Sequence, residues 1–124
     1  MKKEEAIQIR FCNYLKKNHP SVLFTADLSG ENVSIHQARK NKMQRSNRGF
    51  PDLMIFEPRG VFNGLFVELK RDGVRLWKRD GTAATDHIRE QFDMILELRK
   101  RKYCAEFAVG IGEALKVINN YFGW

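Results

Sequence analysis

Residues 49–70 read GFPDLMIFEPRGVFNGLFVELK, and their pattern is that of a β-hairpin. Leu53 to Phe56 is a short apolar strand, Glu57-Pro58-Arg59-Gly60 has turn chemistry, and Gly64 to Lys70 is a second, longer strand. A glycine-proline turn, Gly49-Phe50-Pro51-Asp52, delivers an acid to the start of the first strand. Side chains alternate along a strand, so Glu68 and Lys70 share one face and Leu69 points to the other. Leu65-Phe66-Val67 makes the second strand apolar on both faces, where an acid without a partner or a metal is rarely tolerated. Asp52, Glu68 and Lys70 therefore converge on one patch. Two carboxylates and an ammonium so placed can hold a divalent cation and position a water against a phosphodiester. The carbonyl of Leu69, between them, is a further candidate ligand. The plain alternative is a solvent-facing charge pair on a two-sided sheet.

Upstream of the hairpin, residues 3–18 are predicted to form a helix with Ile7, Phe11 and Leu15 on one face, lysines at its end and Pro20 beyond it. Glu4 shares that apolar stripe, at spacings of three and four, and is predicted to be carried inward as a third site carboxylate. It could equally serve the helix dipole; Glu5 lies about a hundred degrees round and is expected to face water. Val22 to Ala26 reads as a strand and Asp27-Leu28-Ser29-Gly30 as a turn. Asn32 to Arg48 is polar and strongly basic, so any helix there lies on the surface. Its Arg39, Lys40, Lys42, Arg45 and Arg48 lead directly into the Asp52 turn, well placed to grip phosphates.

Downstream, residues 71–85 form a long connector with two Asp-Gly pairs, and with Trp77 among Arg75, Lys78 and Arg79. Connectors of that length are usually functional or mobile. Arg71 and Lys78 are further candidates for backbone contacts. Trp77 could stack on an unpaired base or anchor the connector to the domain. Ile88, Phe92, Ile95 and Leu98 mark an amphipathic helix ending near Lys102, followed by a strand over 105–109 and a helix over 113–121. Strands alternating with helices indicate an α/β domain with a mixed sheet.

Composition agrees with such a domain. The 124 residues are 43% hydrophobic, and 22 lysines and arginines against 15 acids give a formal charge of +7. That excess suits a polyanionic partner through counterion release, although a solvated basic surface would have the same charge. Cys12 and Cys104 lack metal-ligand spacing and are expected to be reduced thiols of a cytoplasmic protein. No apolar run approaches membrane-spanning length, and no apolar segment follows the Met-Lys-Lys-Glu-Glu start, so neither export nor membrane insertion is expected.

Four motifs in order carry a resemblance. Glu4 to Gln8 resembles an E-x-x-x-Q helix, Gly49 to Asp52 a G-x-P-D turn, and Glu68 to Lys70 an E-x-K strand; Gln91 matches a downstream glutamine. Together they resemble the PD-(D/E)XK nuclease superfamily, and within it the virus-type replication-repair nuclease (VRR-NUC) domain, over most of the chain. The resemblance implies a restriction-endonuclease-like core over residues 1–124, with a mixed four-stranded sheet flanked by helices. It implies Mg²⁺ or Mn²⁺ dependence, cleavage of DNA, and Glu4, Asp52, Glu68, Lys70 and Gln91 as site residues. Stand-alone small members are similar to phage-encoded proteins, which act in a bacterial host cell; they are often homodimers and include enzymes acting on four-way (Holliday) junctions. The basic 31–48 segment and the 71–85 connector depart from the family pattern and bear on substrate preference. Gln91 could also be an ordinary exposed helix residue, and His36 and His87 surface histidines. The competing readings are a non-catalytic DNA-binding subunit and a sequence-specific restriction-like nuclease.

Overall fold

The computed structural model describes residues 3–26 and 34–124. The turn expected at 27–30 and the start of the basic segment at 32–33 lie outside the described residues. The element order is α1 (Lys3–Asn18), β1 (Phe24–Ala26), α2 (Ile35–Met43), β2 (Leu53–Ile55), β3 (Leu65–Lys70), α3 (Asp86–Lys100), β4 (Cys104–Val109) and α4 (Gly110–Phe122). The four strands form one mixed sheet in the order β1-β2-β3-β4. β1, β2 and β3 are antiparallel neighbours, whereas β4 lies parallel to β3 after the α3 crossover. This is the α/β architecture expected, with element ends shifted by one to three residues. The largest shift is at α4, which starts at Gly110 immediately after β4.

β3 is buried along its whole length and separates two cores. Leu65, Val67 and Leu69 point to one face, where Phe11 and Leu15 of α1 and Ala114, Ile118 and Phe122 of α4 cover them. Phe66 points to the other, against Met94, Ile95 and Leu98 of α3, with Met54 and Phe107 at the margin. The alternation that sends Leu69 to the α1/α4 side sends Glu68 and Lys70 to the α3 side.

Local chemistry explains the helix ends. Acids open α1 and lysines close it, as the helix dipole favours. Ser34 Oγ caps α2 by accepting from the amide of Gln37 at 3.1 Å, and Thr85 Oγ1 caps α3 by accepting from Ile88 at 3.1 Å. α2 has no buried residue, so the basic segment does form a surface-lying helix. Among the described residues, no helix is long and apolar enough to cross a membrane.

Candidate active site

Residue pairs between β2 and β3 run Leu53 with Val67 and Met54 with Phe66. Continued by one step, that register sets Asp52 opposite Glu68, and two hydrogen bonds fasten the crossing. The Asp52 amide donates to Glu68 Oε2 at 3.1 Å, and the Leu69 amide donates to Asp52 Oδ2 at 3.1 Å. Leu69 thus enters the site through its N–H, while its side chain belongs to the opposite core. Gly49 makes the turn possible. Its φ is +83°, and a Cβ there would stand 2.8 Å from the carbonyl oxygen of Glu90, so the chain reaches Asp52 pressed against α3.

Glu68 and Lys70 are both buried, with Lys70 Nζ 3.9 Å from Glu68 Oε1. The same carboxylate oxygen accepts from Gln91 Nε2 at 2.5 Å. Gln91 is therefore neither exposed nor incidental: α3 inserts it behind Glu68. Its own Oε1 is buried with no hydrogen-bond partner among the described residues.

The electrostatics follow from burial. Desolvation pushes Asp52 above the usual carboxylate range, against the lowering effect of its hydrogen bonds to Glu68 and Leu69 and of the Lys70 charge. Desolvation and then the neighbouring Asp52 push Glu68 well above its ordinary value. One ammonium beside a half-buried Asp52 and a buried Glu68 leaves the two carboxyls short of positive charge, which disfavours both being ionised without a cation. An all-oxygen donor set with excess negative charge suits a hard divalent ion. The orphaned Gln91 Oε1 offers an acceptor to one of the waters such an ion keeps. The residues fit Mg²⁺ or Mn²⁺.

Glu4 does not take the inward position expected of it. Its side chain is exposed and Glu5 is the half-buried one. The physical reason is the layer order: α1 packs on the α4 side of the sheet, whereas Asp52 and Glu68 face α3. Glu4 lies on the exposed side of the first turn of α1. From there the Glu4 charge is still felt at Asp52, adding to its rise. Among the described residues no three His, Cys, Asp or Glu side chains come together as a cation site.

Arg39, Lys40, Lys42, Arg45 and Arg48 are all exposed, as are Arg71 and Lys78. Lys42, Arg45, Ser46, Asn47, Arg48 and Gly49 line a cavity of about 370 Å³ at the entrance to the Asp52 turn. Trp77 is an anchor: its ring packs edge-on against Phe92 of α3, centroids 4.9 Å apart, and against Phe107 of β4 at 6.1 Å. His36 and His87 are exposed. Cys12 and Cys104 are unpaired thiols, each raised mainly by burial. Sequence reasoning did not find that the 71–85 connector is a hydrogen-bonded hairpin; its signal was the Asp80-Gly81 pair.

A mixed four-stranded sheet flanked by helices, with an Asp at the head of one strand and an E-x-K on the next, defines a PD-(D/E)XK-like nuclease fold. A solved structure named VRR_NUC domain protein superposes with a TM-score of 0.65, covering 99% of this chain and 90% of that one at 27% sequence identity. The chain thus has the fold of a VRR-NUC domain. No family model and no curated protein matches it.

Proposed function

We propose that the chain is a Mg²⁺- or Mn²⁺-dependent endonuclease that hydrolyses DNA phosphodiester bonds and selects branched substrates, four-way junctions above all. The observation that carries this reading is the Asp52–Glu68 carboxyl pair, half-buried and buried, short of positive charge, with Lys70 beside it and Gln91 Oε1 without a hydrogen-bond partner among the described residues.

In this reading Asp52, Glu68 and the Leu69 carbonyl hold the cation, while Glu4 adds negative charge from the rim. The bound cation would stabilise charge on the phosphate oxygens and make a water more acidic. Gln91 fixes the orientation of Glu68 through its Nε2 and leaves Oε1 to accept from a water in the site. Lys70 orients the attacking water or stabilises the charge that develops on the phosphate. Arg39, Lys40, Lys42, Arg45 and Arg48 hold the sugar-phosphate backbone beside the Asp52 turn, which positions DNA without reading its sequence. The basic helix beside the Asp52 turn, α2, has no buried residue to brace it for major-groove reading, which favours selection by shape. One small site cuts one strand, so a paired cut at a junction requires a homodimer.

The test is cleavage of a labelled synthetic four-way junction beside a linear duplex of the same sequence, with Mg²⁺, Mn²⁺ or EDTA. Metal-dependent cutting of the junction alone is expected. Equal cutting of both would remove the junction preference, and binding without cutting would overturn the enzyme.

A further inference from the structure

The connector leaving β3 directly after Lys70 folds back on itself. Lys78 N–H donates to Thr82 O at 2.7 Å, Gly81 N–H to Lys78 O at 2.9 Å and Ala84 N–H to Leu76 O at 2.8 Å, while Trp77 and Ala83 bridge. The turn is further tied by Asp80 Oδ1, which accepts from both the amide and the hydroxyl of Thr82. Arg75 Nε donates to Trp77 O at 2.9 Å, so its guanidinium is fixed to the hairpin's own backbone. The base of the hairpin is pinned by Trp77 against Phe92 and Phe107. Arg75, Lys78 and Arg79 are exposed, and none of them pairs with a carboxylate among the described residues. The single acid at the tip, Asp80, is turned inward to its own loop.

This is a rigid basic finger rather than a solvated loop. Three cations on a mobile connector would lose much freedom on engaging a polyanion. Here the hydrogen bonds and the aromatic anchor have already removed that freedom. The finger's anchor, Phe92, is the next residue to Gln91, and Gly49 of the other basic element presses on Glu90 and Gln91. Both basic elements therefore seat on the same turn of α3, the turn that carries Gln91 into the site.

We infer that the 75–84 hairpin is a second, preformed phosphate clamp, which grips nucleic-acid backbone through Arg75, Lys78 and Arg79 outside the cavity lined by Lys42 and Arg48. The inference rests on the nucleic-acid reading of the site and adds to it: the substrate has to extend past the reacting phosphate along the finger.

The test is binding of a fluorescein-labelled DNA duplex and four-way junction by the full chain, with Ca²⁺ in place of Mg²⁺ and over a range of salt. Wild type is compared with the double variant Lys78→Ala/Arg79→Ala. A control of equal charge loss, Lys16→Ala/Lys17→Ala, sits at the far end of α1. The finger variant is expected to weaken binding and to reduce the slope of log affinity against log salt by about two, with the control unchanged. The altered side chains are exposed, and a melting temperature equal to wild type checks the fold. A finger variant that behaves like the control overturns the clamp, even if wild type cleaves in Mg²⁺. Finger-dependent binding by a protein that cleaves nothing would keep the clamp and overturn the nuclease.

Discussion

Asp52, half-buried, and Glu68, buried, are served by one ammonium, and their most telling property is that their hydrogen bonds are made while their charge is not balanced. Asp52→Asn keeps an acceptor for the Leu69 amide and removes one of the competing charges. It should cut Mg²⁺-dependent cleavage by at least about a hundredfold. In EDTA at neutral pH, the same variant should melt at or above the wild-type temperature, because an uncompensated buried charge has been deleted. A clearly lower melting temperature in EDTA would mean that the pair is already balanced. Gln91 invites a different measurement. Gln91→Leu keeps the volume but takes the donor from Glu68 Oε1, leaving the carboxylate free to turn. Loss of such an orienting partner costs about 10- to 100-fold in metal affinity or activity. A Mg²⁺ titration of the cleavage rate should therefore show a raised midpoint; an unmoved midpoint with a lower melting temperature would reduce Gln91 to packing.

At the scale of elements, the Gly49 turn decides where Asp52 lands. Gly49→Ala meets both a left-handed backbone and the Glu90 carbonyl 2.8 Å from the new Cβ. Gly73→Ala meets a similar φ of +82° with nothing near. Urea unfolding should show about 1 kcal/mol lost at Gly73 and at least about 2 kcal/mol at Gly49, the difference being the close approach to α3. Equal losses would mean that α3 simply moves aside. The same elements show what a sequence discloses. The doubly apolar Leu65–Val67 run announced β3, and period two fixed the shared face of Glu68 and Lys70 before any partner strand was known. Glu4 is exposed rather than carried inward because a helical stripe marks which side of a helix is buried but not which side of the sheet that helix covers. Trp77 was ambiguous for a related reason: its partners Phe92 and Phe107 are distant in sequence, and only the fold brings them beneath it.

For the whole molecule, the site makes stability depend on pH and on metal together. Asp52 and Glu68 both stand above their ordinary values, chiefly through burial. A carboxyl raised on folding contributes its stability below its unfolded pKa and loses that contribution as pH rises through the folded one. The site should therefore cost the metal-free protein stability on going from mildly acidic to neutral solution. The lowered acids Asp80 and Glu97 act in the opposite sense, but both are at the surface and exert their effect at lower pH. A divalent cation that binds only the folded chain reverses the loss, by about 2.7 kcal/mol at a hundred times its Kd. Melting temperatures across this pH range should accordingly fall in EDTA and flatten in Mg²⁺, and Asp52→Asn should flatten the EDTA profile without metal. Profiles that coincide for wild type and variant in EDTA would show that this pair does not set the pH response. A variant profile flattened in EDTA would instead locate in this one carboxyl pair both the weakness of the metal-free fold and its affinity for a cation.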